Sequence, residues 1–325
     1  MNMPGMKRRL RGGETLAGFV ATIPSAVSVQ AMAAAGADWV VIDQEHGAVG
    51  PESLHAMVAA TQGTRCAALV RVPRRDEAWV KPALDLGAEG IVFPQVRAAG
   101  DAAECVALTR YPPRGRRGWG PFAAHARWGV GLQDYLPRRG DETVCILLIE
   151  TRAAVEQIEE ICRVEGVDGM VVAQFDLAVE LGVPGRFDAP EFRDAFAHLE
   201  RVILEAGIPL GAAALTREQT RGLLARGHRL PVHGFDVLML AGLVRQAAEW
   251  RRHPETEEAP MLATELRGKT GASPGRATVS PPGGASDAAG EITPSAVTDT
   301  LARSADATGA AKATRQMPEP DSLGG

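Results

Sequence analysis

The stretch Thr143–Asp176, TVCILLIETRAAVEQIEEICRVEGVDGMVVAQFD, limits the fold of this 325-residue chain more than any other. TVCILLI is an apolar, β-branched run that stops at Glu150. AAVEQIEEIC has apolar residues at helical spacing with acids on the opposite face, and MVVAQF is a second apolar run that stops at Asp176. Two strands joined by a helix of this length lie parallel, which puts both of their ends on one rim of the sheet. Glu150 and Asp176 then face each other across that rim. Two such carboxylates repel unless a cation sits between them or one keeps its proton. A hard divalent metal with oxygen ligands resolves the repulsion; capping of the following loops, or pairing with a nearby arginine, is the other reading.

The same alternation runs along the chain. Strands are expected at Leu16–Thr22, in ADWVVID ending at Asp43, in CAALVRV ending at Arg71 and in GIVFPQV, then at the two runs above, in IPLGAAA and in LPVHGFD. Helices are expected in PSAVSVQAMAAAG, over 51–61, 76–86, 98–110, 189–206 and 216–226, and last over 237–251, with a long loop YPPRGRRGWGPFAAHARWGVG before the fifth strand. Eight strands alternating with helices over roughly 250 residues is the count and size of an α/β fold of the (β/α)8 TIM-barrel type. An open doubly wound sheet is the alternative, but it carries a glycine-rich phosphate loop after its first strand, and none is present here. Residues 254–325 are rich in Ala, Thr, Ser, Pro and Gly without sustained apolar periodicity, and cannot bury enough surface to offset their ordering entropy. The expected organisation is a barrel over 1–253 and a disordered tail over 254–325.

A formal charge of −5 argues against nucleic acid as the main partner. Lys7–Arg11 reads as a solvated start and Arg114–Arg117 as a loop. None of the four cysteines forms a CxxC pair, so buried free thiols are expected rather than zinc or disulfides. The first thirty residues lack a signal-peptide core and no run is long enough to span a bilayer, which leads to the expectation of a cytoplasmic protein without a membrane partner.

Catalytic groups of such barrels sit at the C-terminal ends of strands. The second strand delivers Asp43, Glu45 and His46, the third Arg71, the fifth Glu150 and the sixth Asp176. A base, a cation and two carboxylates on one rim suit chemistry beside a carbonyl: a metal polarises it, Arg71 steadies the developing oxyanion and His46 moves a proton. Each has a plainer reading, as a loop cap or as neutralisation of a rim charge. Asp43 reads as a partner for His46 or a structural cap, and His125, His228, His233, Trp79, Trp119 and Trp128 as structural.

IDQEHG, LVRVP, RYPPRGRRGWG, LLIET and VDGMVVAQFDLAVELG, in that order, resemble the HpcH/HpaI aldolase family over roughly residues 10–250. The resemblance implies a barrel of the phosphoenolpyruvate/pyruvate superfamily and a metal-dependent class II aldolase, which cleaves 4-hydroxy-2-oxo acids to pyruvate and an aldehyde or runs the reverse addition. It implies Glu150 and Asp176 as ligands of Mg²⁺, Mn²⁺ or Co²⁺, and His46, oriented by Asp43, as the general base. Arg71 then holds the 2-oxo oxygen, and the backbone N–H groups of Phe175 and Asp176 face the pyruvate carboxylate. It also implies a homo-oligomer, a hexamer assembled from dimers that exchange the last helix, about Val237–Arg251.

The chain departs from the family pattern at Leu148, where Gln is frequent, and at Ala173, Gln174 and Phe175, where a Gly-Pro-small run is usual. Gln44 and Phe235 also differ from common choices. These departures imply a shifted substrate range or a member with weak aldolase activity. The alternatives are a related carbon–carbon lyase or decarboxylase of the citrate-lyase β type, and a non-catalytic barrel with a binding role.

Overall fold

The computed structural model describes residues 5–252; the tail expected over 254–325 lies outside the described residues. The chain runs α1 (Met6–Arg11), β1 (Gly18–Ala21), α2 (Ala26–Ala34), β2 (Trp39–Asp43), α3 (Pro51–Ala59), β3 (Ala67–Arg71), α4 (Glu77–Asp85) and β4 (Gly90–Phe93). It continues with α5 (Ala99–Thr109), α6 (Ala124–Arg127), α7 (Leu132–Arg139), β5 (Val144–Ile149), α8 (Arg152–Glu156), α9 (Ile158–Cys162) and β6 (Gly169–Val172). The last elements are α10 (Gln174–Glu180), α11 (Pro190–Glu205), β7 (Leu210–Ala212), α12 (Arg217–Ala225), β8 (Val232–Phe235) and α13 (Asp236–Trp250).

All eight strands are parallel, in the order β7-β6-β5-β4-β3-β2-β1-β8, and a bridge between Ala213 and Val232 brings the two ends together. The sheet is thus a nearly closed barrel. Strands buried on both faces read as continuous apolar runs, and their period of two sorts the residues into two layers. Val20, Trp39, Val41, Leu69, Val92, Ile146, Leu148, Val171 and Val232 fill the lumen. Val40, Ile42, Val70, Ile91, Phe93, Leu147, Ile149 and Val172 face the helices. Trp39 takes so much of the lumen that a Cβ on Gly18 would lie 2.2 Å from its ring. Its indole N–H donates to the Leu16 carbonyl at 2.9 Å.

The lead-in is not a solvated start. Met6 and Leu10 of α1 are buried in the lumen cluster and close the N-terminal end of the barrel. The basic residues between them are held by distant partners. Lys7 Nζ donates to the Thr143 carbonyl at 3.1 Å and pairs with Asp168 at 3.1 Å, while Arg9 pairs with Asp38 and Glu14. Burial depresses the Lys7 ammonium pKa, against the attraction of Asp168.

Three further differences concern helices. The helix expected from AAVEQIEEIC divides at Gln157 into α8 and α9, yet Ala154, Ile158 and Ile161 stay on one buried stripe. The stretch after α5 gains α6, followed by α7, which buries Tyr135. The sixth strand stops at Val172, so Phe175 and Asp176 lie in the first turn of α10 instead of at a strand end. Among the described residues no helix is long and apolar enough to cross a membrane.

Candidate active site

The lumen phase continues past the strand ends. Trp39 and Val41 lead to Asp43, Leu69 leads to Arg71, and Ile146 and Leu148 lead to Glu150, so period-two geometry aims all three polar groups into the mouth of the barrel. Asp43 is fully buried and clamps Arg71 through two hydrogen bonds, from Nε to Oδ1 at 2.8 Å and from Nη2 to Oδ2 at 2.6 Å. Arg71 Nη1 also lies 3.3 Å from Glu45. Burial alone would raise the Asp43 carboxyl, but the Arg71 guanidinium beside it holds it below the ordinary carboxylate value. Burial works against the charge of Arg71, and Asp43 overcomes it.

Asp43 does not orient the His46 ring. Its Oδ1 accepts the backbone N–H groups of Glu45 (3.0 Å) and His46 (3.3 Å), so it shapes the loop and fixes Arg71. The His46 side chain is 62% exposed at the open rim, with Nε2 3.7 Å from Glu45.

Glu150 is buried just past β5. Its Oε1 accepts two hydrogen bonds from Gln95, from the backbone N–H at 2.6 Å and from Nε2 at 3.1 Å. Burial pushes the Glu150 carboxyl up to about 7, with Asp176 and Glu45 adding repulsion and Gln95 and Arg71 opposing it. Burial likewise raises Glu45, with Asp43 and Asp176 contributing. Asp176, exposed on the first turn of α10, thus shares one electrostatic field with both. A cavity of about 90 Å³ opens at the barrel mouth beside Arg71 and Asp176, lined also by Leu148, Val171, Phe175 and Phe235, among others. Leu148 makes its floor apolar. Phe175 stands edge-on to Phe187 with centroids 5.3 Å apart.

No group of three or more His, Cys, Asp or Glu forms a metal cage among the described residues. The donor chemistry at the mouth still fits a hard divalent ion. Three carboxylates share one field there, two of them, Glu150 and Glu45, raised first by burial and then by their acidic neighbours, and magnesium is commonly bound by one or two carboxylates with water completing the shell. Glu150 and Asp176 are the residues that could hold it.

A profile of the family described as HpcH/HpaI aldolase/citrate lyase matches residues 19–242. The chain belongs to the HpcH/HpaI family. It is 37% identical over 240 residues to a 4-hydroxy-2-oxovalerate aldolase of Rhodococcus jostii, covering 72% of this chain and 91% of that one. It is 33% identical over 246 residues to a hydroxypyruvate/pyruvate aldolase of Roseovarius nubinhibens, covering 75% and 96%. Among solved structures, an HpcH/HpaI aldolase/citrate lyase family protein from Burkholderia cenocepacia superposes with a TM-score of 0.71 at 33% identity, covering 76% of this chain and 98% of that one.

Two residues of this HpcH/HpaI barrel escape the sequence reading. Gln95 has a left-handed backbone, φ 56°, which for a non-glycine residue costs on the order of 1–3 kcal/mol and so needs a reason. The two hydrogen bonds to Glu150 supply it. The available signal is only its place as a polar residue two positions past the end of the fourth strand. Asp236 is the other. Buried at the start of α13, it accepts the Thr22 N–H (3.0 Å), the Thr22 hydroxyl (2.7 Å) and the Ile23 N–H (2.9 Å), tying β8 to β1. His125, His228 and His233 stay structural: His125 Nδ1 meets the Val130 carbonyl at 3.0 Å, His228 is buried beside Glu200, and His233 Nδ1 lies 3.2 Å from the Ala214 carbonyl.

Proposed function

We propose that this protein is a divalent-metal-dependent aldolase that cleaves or forms 4-hydroxy-2-oxo acids through the enolate of pyruvate. The observation that carries the reading is the convergence of Arg71, Glu150 and Asp176 on one barrel mouth, with Arg71 locked by a buried carboxylate. The names of the relatives, all acting on 2-oxo acids, support the substrate class.

In this reading Glu150 and Asp176 hold Mg²⁺, Mn²⁺ or Co²⁺, and the ion supplies Lewis-acid polarisation of the 2-oxo group. Arg71 donates to the 2-oxo oxygen and stabilises the negative charge that develops there as the enolate forms. Asp43 prepays the orientation of that guanidinium. His46, free at the rim, exchanges a proton with the C4 hydroxyl as the carbon–carbon bond breaks or forms. The first-turn N–H groups of Phe175 and Asp176 have no intrahelical acceptor and receive the pyruvate carboxylate. The partners are thus a 2-oxo acid and an aldehyde.

The barrel forms one domain over 1–253 in a cytoplasmic protein, a setting in which its four free cysteines stay reduced. Helix α13 leaves Val237, Leu238, Met239, Leu240, Leu243 and Val244 exposed, an apolar face that supports a homo-oligomer built by exchanging this helix, with a hexamer as the assembly.

The test is pyruvate-dependent addition to a panel of aldehydes with Mg²⁺ or Mn²⁺, read by mass spectrometry. EDTA abolishes product, Glu150→Gln does the same, and Arg71→Ala lowers kcat by about 10²–10³-fold with a smaller change in KM. Activity that survives both metal removal and Glu150→Gln rejects the mechanism.

A further inference from the structure

At the end of the barrel opposite the catalytic mouth, α1, the α3–β3 loop, α6 and α7 enclose a chamber of about 650 Å³. Its wall includes Cys66, Glu89 and Glu142, each lying just before a strand, which fixes it at the N-terminal rim. Five arginines line it: Arg8, Arg65, Arg127, Arg138 and Arg139. Arg8 pairs with Glu142, and Arg65 with Glu14 outside the chamber, while Asp141 is taken by Arg114. Three guanidiniums, Arg127, Arg138 and Arg139, are left with Glu89, which is itself occupied by the Met6 N–H, and with the second oxygen of Glu142, which is buried without a hydrogen-bond partner and attracts Arg139.

Arg127 and Arg139 are fixed in place without an ion-pair partner among the described residues. Arg127 donates from Nη1 to the Val58 carbonyl and from Nη2 to the Thr61 hydroxyl, both at 2.6 Å, and its buried Nε has no acceptor. Arg139 lies 3.7 Å over the Trp128 ring, and its buried Nε also lacks an acceptor. Burial depresses the pKa of both, against the attraction of Glu89, joined for Arg139 by Glu142; Arg139 adds to the disadvantage of Arg127, and Arg8 to that of Arg139. Guanidinium groups held this way, with N–H donors unspent and an excess of two positive charges, form an arrangement that a dianion completes. A tetrahedral oxyanion can accept from several guanidinium forks at once, where a planar carboxylate serves fewer.

We propose that this chamber is a binding site for a phosphoryl dianion, as free phosphate or as the phosphate group of a small ester, bound by Arg127 and Arg139 with Arg138 at the rim. The site is separate from the catalytic mouth and does not depend on the aldolase reading. The chamber is larger than a phosphate ion, so an ester has room for its organic part.

The test is calorimetric titration of the full-length protein in magnesium buffer with inorganic phosphate, glycerol 3-phosphate and malonate, on wild type, Arg139→Gln, Arg127→Gln and Arg71→Gln. Wild type and Arg71→Gln bind both phosphoryl probes, and Arg139→Gln weakens them by about tenfold or more, as the loss of a charge-assisted hydrogen bond requires. Tighter binding of the ester than of the free ion assigns the site to a phosphorylated metabolite, and the reverse assigns it to phosphate. Unchanged circular dichroism and aldolase turnover in Arg139→Gln establish that its fold is intact; Arg139→Lys, which keeps the charge, recovers part of the affinity if Arg127→Gln fails to fold. Absence of binding to wild type, loss in Arg71→Gln but not in Arg139→Gln, or malonate binding as tightly as phosphate overturns the proposal.

Discussion

Arg71 owes its position to Asp43, and a pair this deep is asymmetric in its costs. Breaking a buried pair by removing one member costs roughly 3–5 kcal/mol, an upper bound for Asp43 because Glu45 still lies 3.3 Å from Arg71. Asp43→Ala is therefore expected to lower the denaturation midpoint sharply and to cut kcat, because Arg71 loses its fixed aim; chemical denaturation and steady-state kinetics measure the two effects. Gln95 makes a second case. Gln95→Gly relieves the left-handed backbone and keeps the N–H on Glu150, while Gln95→Ala keeps the strain and loses the side-chain bond. The alanine variant should be less stable than the glycine variant by about 1 kcal/mol in equilibrium unfolding, with both less active than wild type. Neither relation is visible in sequence. Asp43, Arg71 and Glu150 could be placed because strand parity is a local property. The Asp43–Arg71 clamp and the φ of Gln95 depend on which strands become neighbours.

Among the elements, the strands were legible because a parallel barrel buries both faces, and an apolar run with a polar residue at its end is a strong local signal. The long amphipathic helices were legible for the same reason. Helix α1 was not: MKRRLR reads as solvated until Thr143, Asp168 and Asp38 are brought beneath it. The first turn of α10 was also hidden, since VVAQF continues the β-like composition of the strand and nothing before Asp176 marks a stop. Helix α13 was legible as a helix, but its apolar residues point outward where a core helix would bury them. Leu240→Glu combined with Val244→Glu is expected to lower the particle mass in sedimentation velocity while leaving the far-ultraviolet circular dichroism unchanged. A mass unchanged by both charges removes α13 from the assembly.

Across the whole molecule, the packing buries three of the four thiols, Cys66, Cys105 and Cys145, and partly covers Cys162. Burial pushes Cys66 and Cys145 up to about 12 and Cys162 up to about 11, and raises Cys105 further still. Thiolate is the reactive form, so iodoacetamide at pH 8 should label the folded protein slowly and all four cysteines quickly once it is unfolded, as peptide mass spectrometry would count. The free state of these thiols was legible from their spacing. The arginine chamber was not, because its walls come from segments that meet only when the barrel closes.

Asp168 ties three segments together at the base of the barrel. One carboxylate receives Lys7 from the first helix, Arg110 from the end of α5 and the Cys145 N–H from the start of β5. A ribosome making this chain releases the Arg9 partners Glu14 and Asp38 soon after the Met6–Arg11 segment, and the Lys7 partner Asp168 only after five strands. The seat of that first helix is therefore completed late in synthesis, when the sixth strand begins to emerge.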